Sequence, residues 1–348
     1  MLNKKSIKFG KSFKDVDQIK KNFFFENNSL LKKQNKLNKL YISQPLRKKC
    51  KACNSNLKGK SFKNHKIRYI ECKKCSHING CYKDTKNFAD KIYVNEKVSY
   101  SKSYYEKNAK QFLIRQKKIY DPKANFLKKS FSNLEKIKLL DIGAGSGYFV
   151  SSLIDKKLKK VEGFEVSKSQ VNFGKKIFSI IGKNENLLNN LSFQEIKTVV
   201  KKTNYNCISL IGVLEHMVDM SEIMNVIKKN KKIKYLYILV PMFSFICIVE
   251  NLFDKIFNRH LGGGHTHLFT EKSLKKFMNK FGFSEHSSWW FGTDMHDFYR
   301  SVVVEMNKRN FTPLENEANN IKSEIDRLQL ILDKKKICSE VHMLLKRN

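Results

Sequence analysis

Lys138-Leu-Leu-Asp-Ile-Gly-Ala-Gly-Ser-Gly-Tyr-Phe-Val-Ser-Ser-Leu-Ile-Asp155 decides the fold. Its first residues form a short apolar run that suits a buried strand, Gly143-Ala-Gly145-Ser-Gly147 is a turn, and the stretch from Tyr148 is helical. A strand, a glycine turn and a helix in that order bring backbone N–H groups and the positive end of a helix beside whatever sits over the turn. A dinucleotide fingerprint needs a third small residue where this chain has Tyr148, which demotes NAD, and no Gly-Lys-Ser/Thr follows, which excludes a P-loop. The second strand, Lys160-Val-Glu-Gly-Phe164, delivers Glu165 22 residues after Gly143. A carboxylate there accepts hydrogen bonds from both hydroxyls of a ribose. Turn and acid together point to a nucleoside cofactor rather than a purely structural turn.

Outward from this unit, the 348 residues suggest a core domain with attachments, and 41% hydrophobic residues exclude wholesale disorder. The formal charge is +37, but 61 of the 69 cations are Lys and 8 are Arg. Sequence-specific nucleic-acid readers lean on the planar fork of Arg, so the charge reads first as a solvated basic surface that permits loose attraction to anions. The most apolar run, Ile238–Val249, is short, contains Pro241 and ends at Glu250, and residues 23–25 are too few for the apolar region of a signal peptide, so a cytoplasmic location is expected.

Residues 1–48 read as a basic extension that is frayed or ordered on contact, with an RNA-binding arm as the sharper alternative. Then come Cys50-Lys-Ala-Cys53, 18 residues, and Cys72-Lys-Lys-Cys75. Two such turns complete a tetrahedron of thiolates, so Cys50, Cys53, Cys72 and Cys75 are expected to hold a structural Zn2+ in a module spanning 49–90. Asn54 suits the left-handed turn of a knuckle, and Ile67, Tyr69 and Ile70 suit a strand feeding the second one. Cys81 and His77 read as a spare thiol and a surface imidazole.

Leu139–Phe149 resembles the first motif of class I S-adenosylmethionine-dependent methyltransferases. Asn206–Met217 resembles that family's fourth strand and following loop, Tyr237–Pro241 its fifth strand, and Thr266–Leu274, ending at Gly282-Phe283, its small-molecule and sugar branch. The resemblance covers about residues 100–300 and implies an α/β, Rossmann-like, seven-stranded mostly parallel sheet whose antiparallel last strand slots between the fifth and sixth. It places the methyltransferase domain at 97–348, with Ser287–Phe291 as strand six, Glu340–Lys346 as the last strand and a helical insert at about 294–336 between them.

The resemblance further implies that backbone amides of Gly143, Ala144, Gly145 and Gly147 bind the carboxylate of S-adenosylmethionine, and that Asp141 faces its ammonium or the water around it. Glu165 would take the ribose, Leu214 and Glu215 would line cofactor and acceptor, and the residue holding adenine stays unassigned within 184–195. Methyl transfer from a sulfonium is an in-line displacement, so most of the acceleration comes from positioning. A hydroxyl acceptor also wants a general base, for which His216, His265 and His267 are the candidates, each with an ordinary role as loop, cap or packing residue beside it. Gly262–Gly264 reads as a hinge or a close approach, and a moving lid is one outcome.

Three further segments carry paired readings. A helical pattern over 104–131 is expected to break at Pro122. Phe243–Phe257 is a helix packed on the sheet, or else a substrate lid or a surface touching lipid-linked acceptors. Leu314, Ala318, Ile321, Ile325, Leu328 and Leu332 form a seam that serves either a homodimer or packing on the same chain. The function expected first is methyl transfer to a small-molecule or carbohydrate acceptor such as a nucleotide sugar or glycan precursor. The alternatives are an RNA methyltransferase that uses the zinc module and basic arm, and a non-catalytic scaffold. Scarce Arg weighs against RNA.

Overall fold

The computed structural model describes residues 2–12, 24–93, 108–311 and 315–348, with 315–319 as backbone. In chain order the N-terminal part gives β1 (Ile7–Phe9), α1 (Asn27–Ile42), β2 (Ser61–Asn64), β3 (Ile67–Glu71), β4 (Ile78–Gly80) and α2 (Lys86–Tyr93). Next come α3 (Ala109–Arg115), α4 (Asp121–Ser130), β5 (Lys138–Ile142), α5 (Tyr148–Asp155), β6 (Lys160–Glu165), α6 (Lys168–Ile180) and β7 (Leu188–Asn190). They are followed by α7 (Phe193–Lys202), β8 (Cys207–Ile211), α8 (Met220–Lys229), β9 (Tyr235–Pro241), α9 (Phe245–Val249) and β10 (His267–Leu268). The chain closes with α10 (Glu271–Lys280), β11 (Phe283–Phe291), α11 (Asp294–Lys308), α12 (Glu315–Lys334) and β12 (Glu340–Arg347).

The main sheet runs β1-β11-β12-β9-β8-β5-β6-β7. Strand β12 is antiparallel to both neighbours, β9 and β11, and every other pair is parallel. Parallel strands covered on both faces must be apolar throughout, and all seven residues of β9 are buried. Helices flank the sheet, and α7 and α10 each start with a reciprocal capping box, Ser192 with Glu195 and Thr270 with Ser273.

The sheet has eight strands where seven are expected. The addition is β1, from the Lys-rich N-terminal stretch: Trp289 Nε1 donates to the Gly10 carbonyl at 2.8 Å, and the Lys8 ammonium lies 3.7 Å from the Trp289 ring centroid. Such a strand leaves no hydrophobic pattern, because it is held by main-chain pairing and by cations over an aromatic face. The helical pattern does not break at Pro122 either. Pro122 sits in the first turn of α4, where its missing N–H costs nothing, and the irregularity falls earlier, in a π turn over Gln116–Tyr120.

A second, four-stranded sheet has the order β10-β4-β3-β2. Three strands come from the cysteine-bearing segment, and the fourth, β10, is lent by the chain more than 170 residues later. Residues 243–257 form the short helix α9, a 3₁₀ turn at Glu250–Leu252 and loop rather than one helix. In the helical insert, the stripe of α12 that turns inward is Ile325, Gln329 and Asp333, with Gln329 bonded to Met295 N and Asp294 Oδ2. Of the expected seam, Ile321 and Leu328 are 40% and 37% exposed, and Leu314 and the Ala318 side chain lie outside the described residues. No helix among the described residues is long and apolar enough to cross a membrane.

Candidate functional site

The carboxyl ends of β5, β6 and β8 meet at the glycine turn. Gly143, Gly145 and Gly147 all have left-handed backbones, φ 75°, 56° and 81°. A Cβ on Gly143 would stand 2.4 Å from Val213 Cγ2, so the turn and the loop after β8 touch through a missing side chain. Glu165 lies beneath, accepting from Gly145 N and Ser167 N at 2.9 Å each, and burial raises its pKa. Gln170 Oε1 and Ser146 Oγ, both buried here, have no hydrogen-bond partner among the described residues. A ring of glycine backbone, a buried carboxylate and unspent polar atoms suits a polar ligand with sugar hydroxyls.

The amides of the turn, which the resemblance assigns to a carboxylate, have partners within the chain. The N–H groups of Gly143 and Ala144 both donate to the Phe164 carbonyl, that of Gly145 to Glu165, and that of Gly147 to the Ala144 carbonyl. In this arrangement the four amides bond within the chain, and a carboxylate over the turn would draw on exchange of these bonds or on a nearby cation. Lys123, on α4, is a buried cation close enough to act on Asp141 and Glu215: it is 7% exposed, its Nζ lies 4.7 Å from the Tyr120 ring centroid, and Tyr120 stacks on Tyr148 at the start of α5. Burial lowers its pKa to about 8 against the opposing pull of Glu340, Asp141 and Glu215. Among 61 lysines no sequence signal separates it. Asp141 is 2% exposed and accepts from Ser209 Oγ at 2.6 Å, and burial first, then the Glu165 charge, raises it to about 7. Leu214 is fully buried in the hydrophobic core below the loop. At the end of the third strand, Asn190 Nδ2 donates to the Glu165 and Val166 carbonyls, closing the segment where adenine would lie.

After β8, Gly212 (φ 67°) turns the chain into a 3₁₀ turn, Leu214–His216. Glu215 is 4% exposed, its Oε2 has no partner among the described residues, and burial raises its pKa to about 8. His216 Nε2 is 3.9 Å from Glu215 Oε1, its Nδ1 is 2.8 Å from the Tyr93 hydroxyl, and its ring stacks on His265 at 5.3 Å between centroids. His265 Nδ1 is 3.1 Å from the Arg259 carbonyl. Burial pushes both imidazoles below their ordinary pKa. The structure thus brings two of the three candidate histidines together, with Glu215 beside His216. His267 is apart: fully buried on β10, its Nδ1 lies 2.9 Å from His77 Nε2.

His77 is therefore not a surface imidazole. It is fully buried between His267 and Ser273, and both rings pack on Phe269. With Gly80 N donating to the Thr266 carbonyl at 2.8 Å, this pair ties the cysteine-bearing sheet to the loop that carries His265. Gly262–Gly264 is a close approach: Gly263 N donates to Asn38 Oδ1 at 2.8 Å, and a Cβ on Gly263 would sit 2.7 Å from the Leu37 carbonyl of α1.

The four knuckle cysteines converge, all Sγ atoms within 4.8 Å of one another, with Cys50–Cys75 at 3.6 Å and Cys53–Cys72 at 3.8 Å. Tetrahedral zinc with Zn–S bonds of about 2.3 Å spaces its sulfurs about 3.8 Å apart, so the four thiols fit that ion. Asn54 (φ 59°) and Ser76 (φ 62°) make the left-handed knuckle turns, and Asn79 Nδ2 donates to Cys50 Sγ at 3.5 Å. Cys81 is buried outside the cluster.

A family profile described as a methyltransferase domain matches residues 113–288, half of the chain. No curated protein matches. Among solved structures, similar chains include a candidate sarcosine dimethylglycine methyltransferase from Galdieria sulphuraria, at 17% identity and TM-score 0.44, covering 70% of this chain and 91% of that one. Magnesium protoporphyrin IX methyltransferase from Synechocystis PCC 6803 is 10% identical with TM-score 0.45, covering 72% and 93%. Geranyl diphosphate C-methyltransferase from Streptomyces coelicolor is 10% identical with TM-score 0.41, covering 70% and 86%. At these scores the likeness says nothing of the acceptor. With the profile over the strand, turn and helix that build the site, the chain belongs to the methyltransferase-domain family and is an S-adenosylmethionine-dependent methyltransferase.

Proposed function

We propose that the protein methylates a small-molecule acceptor, of which a carbohydrate or glycan precursor is one class, at the Glu215–His216–His265 side of the turn. S-adenosylmethionine supplies a methyl group on a sulfonium. Glu165 would accept hydrogen bonds from the ribose hydroxyls, exchanging its bond to Gly145 N, and Lys123 would face the amino acid carboxylate. Asp141 would answer the ammonium. Burial raises its pKa to about 7 although the Ser209 hydrogen bond and the Lys123 charge pull it down, so an ammonium there would favour its charged form.

On the acceptor side, His216 and His265 stay unprotonated near neutral pH because burial holds their pKa values down. Each thus offers a lone pair to a hydroxyl proton or an electrophile, and positioning supplies most of the remaining acceleration. The observation that carries the reading is the convergence of the glycine turn, Glu165 and the Glu215–His216–His265 cluster on one edge of the sheet. The cysteine module, 49–90, would hold a structural Zn2+ whose fourfold thiolate shell leaves no open position. The eight free cysteines suit a reducing compartment such as the cytoplasm, and the exposed Ile321 and Leu328 mark where a second copy would dock. Untargeted metabolite comparison with and without the gene tests the function: a species lighter by one methylene in the knockout supports it, and unchanged profiles oppose it.

A further inference from the structure

Glu215, His216 and His265 each turn one ligand atom into a common space, all within 4.8 Å of one another. Their second contacts say which atoms are bare. Among the described residues His265 Nδ1 faces the Arg259 carbonyl, an acceptor, so Nδ1 carries the proton and Nε2 the lone pair. The Tyr93 hydroxyl lies within reach of the Gly264 carbonyl at 3.4 Å and of His216 Nδ1 at 2.8 Å. In the tautomer in which His216 Nδ1–H donates to the phenol oxygen, the Tyr93 proton can go to the carbonyl. His216 Nε2 is then bare as well, and it faces Glu215 Oε1 at 3.9 Å.

Glu215 brings a carboxylate that is 4% exposed and whose Oε2 has no partner among the described residues. Three potential ligand atoms thus converge within 4.8 Å of one another, an arrangement that a cation standing among them would satisfy. Histidines that ligate metals hold their other nitrogen to a carbonyl or hydroxyl, as both do here.

We propose that Glu215, His216 and His265 form a second metal site, distinct from the four-cysteine cluster, that takes a first-row divalent cation such as Mn2+, Fe2+ or Co2+. Two imidazoles and one carboxylate make a borderline-hard donor set, unlike the soft thiolate cluster, and leave coordination positions open. Those positions suit an acceptor with two adjacent oxygens, such as a vicinal diol or an α-hydroxy carbonyl. The metal site stands on its own geometry, whereas this use of it rests on the methyl-transfer reading above.

The test uses the full chain with its cysteine site loaded with zinc, freed of weakly held metal, and titrated with Mn2+ alone while the electron paramagnetic resonance of free Mn2+ is followed. One Mn2+ per chain is expected. Glu215→Gln, which keeps size and shape, and His265→Ala should each weaken binding at least about 100-fold, and Tyr93→Phe about tenfold, with one zinc retained per chain. Failure of the zinc-loaded wild type to bind Mn2+, or binding by Glu215→Gln equal to wild type, overturns the site. Because neither cofactor nor acceptor is present, that result is independent of calorimetry with S-adenosylhomocysteine, which tests the methyl-transfer reading.

Discussion

Removing the zinc proposed for the four cysteines should unfasten the loop that carries His265 while leaving the glycine turn in place. Structural zinc contributes roughly 10–16 kcal/mol of apparent binding energy, more than the short strands β2, β3 and β4 can replace, so the module should open without it. What then fails is the hold on β10. Residues 266–268 are fastened by the His267–Asn79 and Leu268–Ile78 pairing, the Gly80 N–Thr266 O bond and the His77–His267 bond. At about 0.5–1.5 kcal/mol each these four sum to about 2–6 kcal/mol, so amide exchange over 266–268 should accelerate by roughly 30-fold to more than 10,000-fold. Strand β5, buried in the main sheet, should keep its protection. Hydrogen–deuterium exchange of the metal-loaded and the chelated protein is the assay. Unchanged protection over 266–268 after zinc release, or equal loss in β5, would refute the reasoning.

Glu165→Gln replaces a charged acceptor with one that points an amide toward a second N–H, so S-adenosylhomocysteine affinity should fall about 10- to 100-fold by calorimetry, and wild-type affinity would count against the ribose role. Because burial raises Asp141 to about 7, its proton is bound more tightly in the folded chain than in the unfolded one. The stability this gives is complete below the ordinary carboxyl pKa and is lost as pH rises through about 7; melting temperatures of Asp141→Asn should lack that part of the decline, and parallel profiles would disprove it. Gly147→Ala would hold a left-handed residue at φ 81° with its Cβ 2.6 Å from Leu188 Cδ1 and 2.9 Å from Phe178 Cζ, both buried. Strain of about 1–2 kcal/mol and overpacking of about 1–3 kcal/mol should lower denaturant stability by roughly 2–5 kcal/mol, and a loss under 1 kcal/mol would show that the turn can relax.

The elements legible in the sequence are those whose chemistry is local. The strand–turn–helix at 138–155, the Glu165 strand end and the two Cys-x-x-Cys knuckles each declare themselves within a few residues, because glycine conformation, strand burial and thiolate spacing are short-range constraints. What stayed hidden depends on distant partners. Strand β1 is recruited by Trp289, β10 joins a sheet built from residues 61–80, and His77 is buried by Ser273 and His267, so none of the three has a periodic signature. Lys123 is distinguished only by what surrounds it. In α12 the apolar seam read from the sequence lost to a polar stripe, because Gln329 and Asp333 find partners in α11 and its neighbours that the pattern does not encode.

Titration calorimetry of the purified chain with S-adenosylhomocysteine bears most directly on the claim that an adenosyl cofactor lies over the turn with its sugar held by Glu165. Saturable binding of one molecule per chain is expected, with no heat from a nicotinamide dinucleotide. Silence with the thioether, together with tight binding of the dinucleotide, would contradict it.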